Sequence, residues 1–424
     1  MKLNYKRTIL VGFAFFVISA FWQAYDNIVP LILTNKFQMQ QGYSGAIMAL
    51  DNIFAVFLLP LFGNISDRTN SKWGRRTPYI LFGTLAASLF FVLLGYASSL
   101  IVFIVLLLLS LLSMATFRSP AVALMPDVTV KPLRSKGNAI INLMGTAGGI
   151  IILLFATLFD TSAPGKTDFS LYLLAVVAVM LTGLVVFMLT VKEKKWAAEM
   201  EEETARIGDV EGEAREETGG KLSRSQLTSL LLILASVALW YIGYNAVTSK
   251  YSVYATTVLQ MSYSTTLMIA QAAAIVAYIP VGLVASRIGR KKTILAGVVM
   301  LTAAFGGAYF VEPGFSPILM TALFALAGIA WATINVNSFP MVVELAKGGD
   351  VGKYTGFYYT ASMAAQIVTP VLSGFLMDEF GMRNVLFPYA AIACALAFVT
   401  MFFVRHGDSR PEAKKGLEAL DNDD

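Results

Sequence analysis

Almost nothing in this chain can hold a metal or move protons through an imidazole. Its 424 residues include one cysteine and one histidine. Cys394 stands alone in the last apolar segment, so neither an intramolecular disulfide nor a thiolate metal site can form. His406 sits in a polar tail, which removes a histidine base and a histidine-ligated metal. Charge is scarce, at 14% of residues, whereas 57% are hydrophobic and mean hydropathy is +0.67. That balance excludes an ordinary soluble globule. No nucleophile motif, metal-ligand set or cofactor fingerprint is present, so the chain reads as neither an enzyme nor a cofactor carrier. Met1 to Arg7 leads into a full-length span with no small-residue cleavage site, which predicts an uncleaved first helix and a cytoplasmic N-terminus.

What the chain does have is long apolar runs. Segments bounded by charge or turn residues fall at 8–32, 43–66, 77–97, 100–125, 134–159, 168–191, 226–255, 262–286, 292–311, 316–341, 353–377 and 383–405. Each is close to the roughly 20 residues needed to cross a bilayer, and only helices satisfy their backbone there without partners. The prediction is an all-α membrane protein with twelve spans and both termini cytoplasmic. A net charge of +5 raises the question of nucleic acid. The cations, however, gather in the N-terminus, the even-side loops and the C-terminus, with Lys36, Lys166, Lys250 and Arg383 on the other face and Arg118 inside the membrane. This is positive-inside topology rather than a phosphate-binding surface, so no nucleic acid is expected.

The connection Lys192–Ser225 is rich in Glu, Lys and Arg and contains Gly219-Gly220. It reads as a linker without chemistry between residues 1–191 and 226–405, ahead of a tail at 406–424. Trp22-x-x-x-Asp26-Asn27 matches Trp240-x-x-x-Tyr244-Asn245 at an offset of 218, and Asp127 and Lys136 match Glu344 and Lys353 at 217. Near-constant offsets imply duplicated, pseudo-symmetric six-helix bundles, with substrate expected between them near mid-membrane.

The most charge-dense short loop is Gly63-Asn-Ile-Ser-Asp67-Arg68-Thr-Asn-Ser71-Lys72-Trp73-Gly74-Arg75-Arg76-Thr-Pro78, echoed by Gly282-x-x-x-Ser286-Arg287-x-Gly289-Arg290-Lys291. The pattern Gly63-x-x-x-Asp67-Arg68 with Gly74-Arg75-Arg76 resembles the loop between helices two and three of the major facilitator superfamily. The fuller form with Ser71, Lys72, Trp73 and Pro78 resembles the sucrose transporters and the wider glycoside-pentoside-hexuronide cation symporters. The resemblance implies that Asp67, Arg75 and Arg76 form a cytoplasmic gate that holds the outward-facing state. Cations facing the acidic end of span four at Asp127 would complete a breakable clasp between bundles. The plainer alternative is that these charges only set topology. Ser286 replaces the motif aspartate, so the second-half clasp is expected to be the weaker one.

Charge within hydrocarbon is costly and marks function by default. Asp26, Asp51 and Arg118 qualify, and helical rise places them roughly 9 to 12 Å from their span ends, within mutual reach. They are the candidate cation-coupling residues, for a proton or sodium ion; a structural ion pair is the alternative. In the plant sucrose transporters the span-four acid would align with Leu111, and the two span-two acids of the melibiose branch with Ala55 and Leu59. Neither is preserved here, so the coupling ion does not follow from the resemblance.

Sugars are bound by hydroxyl-matching polar groups and by aromatic faces. Candidate substrate residues on membrane helices are Gln23, Asn27, Asn138, Asn142, Trp240, Tyr241, Tyr244, Asn245, Gln271, Asn335, Tyr359 and Gln366. Taken singly, each is better explained by interhelical hydrogen bonding or aromatic packing; taken together, in both halves, they suggest a polar central cavity. Gly145, Gly148 and Gly149 in span five suit close helix packing. The expected function is cation-coupled symport of a disaccharide or glycoside, by a monomer in the cell membrane. An exporter of sugars or amphipathic compounds and a non-translocating sensor remain the alternatives.

Overall fold

The computed structural model describes residues 3–130, 133–208, 223–314, 317–345 and 351–407. Gly219-Gly220 and the tail beyond residue 407 lie outside them. Among the described residues every regular element is helical. In order these are α1 Tyr5–Leu31, α2 Gln41–Met48, α3 Leu50–Asp67, α4 Thr77–Leu93, α5 Leu100–Asp127, α6 Arg134–Leu158, α7 Ser170–Thr190, α8 Glu193–Gly208, α9 Arg224–Thr257, α10 Tyr263–Ile288, α11 Arg290–Tyr309, α12 Pro317–Val343, α13 Val351–Phe380 and α14 Met382–Phe402. Twelve helical segments are long and apolar enough to cross a membrane, as predicted. The second of them is broken at Ala49 into α2 and α3. The polar α8 is not a span.

Local sequence sets several helix starts. Asn4 accepts from the Arg7 amide, Ser99 from that of Val102, and Ser223 with Gln226 closes a capping box on α9. Gly289, at φ 94°, separates α10 from α11. Other helices start without a side-chain cap, α2 after Gln40 and α4 after Arg76 among them. Their first N–H groups need partners from elsewhere in the chain.

Of the described residues, those up to 37 and within 50–161 and 165–208 cluster into one compact unit, and those within 38–49, 162–164 and 223–407 into a second. In the first unit α1 lies closely along α6, where a Cβ on Gly148 would come 2.4 Å from the Phe16 carbonyl oxygen. Aromatic residues fill the interior: Phe21 and Phe91 meet at 4.7 Å, and both are fully buried. In the second unit Tyr251 packs on Phe324 at 4.1 Å and Tyr254 on Phe387 at 5.0 Å. Large apolar side chains also point outward, Leu189 with 77% and Ile318 with 77% of their surface exposed. In water these would be an aggregation surface; in lipid they are the solvent contact.

Candidate functional site

In the first unit α1, α3 and α5 bring Asp26, Asp51 and Arg118 together. All three are partly accessible, and their charges act on one another. Asp51 stands in the first turn of α3, just past the Ala49 break, and Asn52 donates to its Oδ1 from the side-chain amide at 2.7 Å. The Arg118 guanidinium makes no direct ion pair among the described residues. It lies over the Trp22 indole, 5.3 Å from the ring centroid. The Trp22 N–H is itself buried with no hydrogen-bond partner among the described residues. Two carboxylates face one cation here, so the cluster carries one uncompensated negative charge when both acids are ionised.

The loop between α3 and α4 forms an ion-pair centre on Arg76. Its guanidinium pairs with Asp67, donates from Nε to Asp127 Oδ2 at 2.7 Å, and also reaches the Ser66 hydroxyl. Burial disfavours the charge on Arg76. The hydrogen bond and charge of Asp127, followed by those of Asp67, outweigh burial and raise its pKa above the ordinary arginine value. Two expectations need correction. The Arg75 side chain is exposed and outside the clasp, and only its backbone N–H is engaged. All members also belong to the first unit, so the clasp ties the end of α3, the start of α4 and the end of α5 instead of joining two bundles. In the second unit Arg290 donates to Glu344 at 2.7 Å, so the echo retains one ion pair despite Ser286.

Glu193, which opens α8, was read as part of a linker without chemistry. It is 3% exposed, and its carboxylate accepts from the Arg75, Arg76 and Thr77 amides and from the Thr77 hydroxyl. The available signal was the uncapped start of α4. Lys250, expected on the external side, has a burial that the sequence did not signal. It is fully buried in α9, with Nζ 2.7 Å from the Gln41 carbonyl. The amides of Gln41 and Gly42 both donate to Asp378 at 2.7 Å, which supplies the missing cap of α2.

The predicted sugar-facing residues divide. Tyr241 and Tyr244 of α9 meet Trp331 of α12, which sequence reasoning missed. Tyr244 stacks on Trp331 with centroids 3.7 Å apart and planes at 9°, and Tyr241 meets it edge-on at 5.2 Å. Trp331 lies one turn from Asn335, and that helical spacing is the signal for it in the sequence. Asn245 is partly accessible and donates to the Tyr241 carbonyl at 2.9 Å. Gln23, Asn138, Asn142, Gln271, Asn335, Tyr359 and Gln366 are also partly accessible. Two candidates are not. Asn27 is 2% exposed and donates to the Gln23 carbonyl, and Trp240 is fully buried in the core of the second unit. Both amphipathic side chains turned inward, because packing decides which helix face meets a neighbour.

Comparison with known proteins agrees with this architecture. The chain is 22% identical over 408 residues to an uncharacterized MFS-type transporter of Methanocaldococcus jannaschii, covering 94% of this chain and 95% of the relative. It is 23% identical over 216 residues to an uncharacterized symporter of Synechocystis, covering 48% of this chain and 38% of that one. Its fold is similar to that of the inward-open xylose transporter XylE from E. coli, with a TM-score of 0.69, 12% identity, and 98% of this chain and 99% of that one covered. The family model described as MFS/sugar transport protein matches residues 10–384. With twelve membrane-crossing helices and a match over most of its length, the chain belongs to the MFS/sugar transport protein family and is a multi-pass membrane transporter, not an enzyme.

Proposed function

We propose that this transporter is a symporter that imports a disaccharide or glycoside by alternating access, with the proton as coupling ion, working as a monomer in the cell membrane with both termini cytoplasmic. The observation that carries the coupling role is the Asp26, Asp51 and Arg118 cluster: partly accessible, inside membrane spans, and with two carboxyl groups beside one guanidinium. Such a cluster is stabilised by taking up one cation, and losing that cation biases the helices that carry it. Asp51 stands at a helix break, where a change of charge meets the least helical resistance.

The substrate role falls to the accessible candidates, Gln23, Asn138 and Asn142 in the first unit and Tyr241, Tyr244, Asn245, Gln271, Asn335, Tyr359 and Gln366 in the second, joined by Trp331. A broad aromatic face beside amides suits the C–H and hydroxyl faces of a pyranose. Asp67, Arg76 and Asp127 serve as a gate that opens when Arg76 lets go of its two carboxylates. The repeat halves are residues 1–191 and 226–405, joined by 192–225.

The test is uptake of labelled sucrose, maltose and a small glycoside panel into proteoliposomes, under an imposed proton gradient and then a sodium gradient. Accumulation of a sugar driven by protons supports the reading. Sodium-driven accumulation corrects the ion. Silence with folded protein, or proton-driven efflux from preloaded vesicles, replaces import by export or binding alone.

A further inference from the structure

We propose that Glu193 is a positioning residue for the transport cycle: its carboxylate clamps the backbone of residues 75–77 so that Arg76 bridges Asp67 and Asp127. Four donors converge on it, the amides of Arg76 and Thr77 each at 2.8 Å, the Thr77 hydroxyl at 2.6 Å, and the amide of Arg75. The three amides run consecutively into the start of α4, which has no side-chain cap of its own, and a carboxylate there also meets the positive end of the helix. Engaging three consecutive amides fixes the backbone from which the Arg76 side chain leaves. That side chain departs in the other direction, toward Asp67 and Asp127.

Gly74 leaves room for this clamp. Its φ is +124°, and a Cβ there would lie 2.2 Å from the Glu193 carboxylate carbon. Glu193 in turn begins α8, whose Arg7 contacts anchor it at a second point. Arg7 pairs with Glu199 at 3.1 Å and lies over the Trp196 ring at 4.8 Å. The helix that leads out of the last span of the first half is therefore wired to the Arg76 centre through one carboxylate. Displacing α8 loosens the turn, and loosening the turn weakens both ion pairs.

The consequence for transport rests on the gate reading above; the clamp itself does not. Two measurements separate them. Amide exchange in detergent-solubilised protein is expected to quicken at Arg75, Arg76 and Thr77 by roughly tenfold or more in Glu193→Ala and in Gly74→Ala, and much less in Glu193→Gln, which keeps one acceptor oxygen. A cysteine at Lys72, on the same loop, is expected to react faster with maleimide in those two variants, because Cys394 is buried and silent. Unchanged exchange and labelling would overturn the clamp whether or not a substrate is known.

For transport, Glu193→Ala, Arg76→Ala and the double variant form a cycle. If Glu193 acts through Arg76, the double variant transports no more slowly than Arg76→Ala alone. Multiplying losses would show a separate structural role and sink the positioning assignment. An altered exchange pattern with unaffected transport would retain the clamp and reject the gate.

Discussion

At the residue scale the informative side chains are those whose charge or ring has no cheap resting place in a membrane. Asp51 is one: it is partly accessible, and its partners are Asn52 and the nearby Arg118 charge. Asp51→Asn keeps the shape and removes the titration, so gradient-driven accumulation should fall to background while counterflow exchange persists. Accumulation that survives would make Asp51 structural and shift attention to Asp26. Trp331→Ala removes the face that stacks on Tyr244, a contact of about 1 kcal/mol in aromatic pairs, so KM for the sugar should rise several-fold with kcat little changed. Trp240→Phe, by contrast, should alter melting temperature before affinity, since Trp240 is fully buried.

At the element scale the contrast is between helices capped by their own sequence and helices capped from afar. α9 carries its capping box, and Ser223 could be read as a start signal from the sequence alone. α2 borrows Asp378, which is exposed but holds two amides of α2, while buried Lys250 takes the Gln41 carbonyl. Asp378→Asn should therefore quicken amide exchange at Gln41 and Gly42 and cost about 1 kcal/mol, the usual worth of a cap, with the effect confined to α2. Lys250→Met removes a buried charge along with its hydrogen bond. The two changes oppose each other, so thermal stability should stay near that of the parent while α2 exchanges faster. Gly148→Leu has no such compensation, and forcing α1 away from the α6 backbone should cost 1–3 kcal/mol or about that, read as a lower melting temperature in detergent.

At the scale of the whole molecule the two halves keep the same device at unequal strength. Among the described residues Arg76 bridges two carboxylates, whereas Arg290 pairs with one, that of Glu344. Arg76→Ala should accordingly reduce transport more than Arg290→Ala, measured as initial uptake rate per folded protein. Equal effects would mean that the pairs act only as local braces. The sequence made this inequality visible at Ser286, although it hid that Glu344 still finds a partner. It also placed Arg75 beside Arg76 in the clasp, since two adjacent arginines look alike in a motif. At the turn into α4 the Arg76 guanidinium reaches α5, while the Arg75 side chain stays exposed.

The number of membrane helices, the loop motif and the ionisable residues within spans were all determined by the sequence, because bilayer thickness, backbone satisfaction and the cost of buried charge act on each segment independently. The partnership of Glu193 with α4, the burial of Lys250 and Trp240, the stacking of Trp331 on Tyr244 and the inward turn of Asn27 were decided only by tertiary structure. Each depends on which face of one helix meets another, and hydropathy that is apolar on every side leaves that face unmarked.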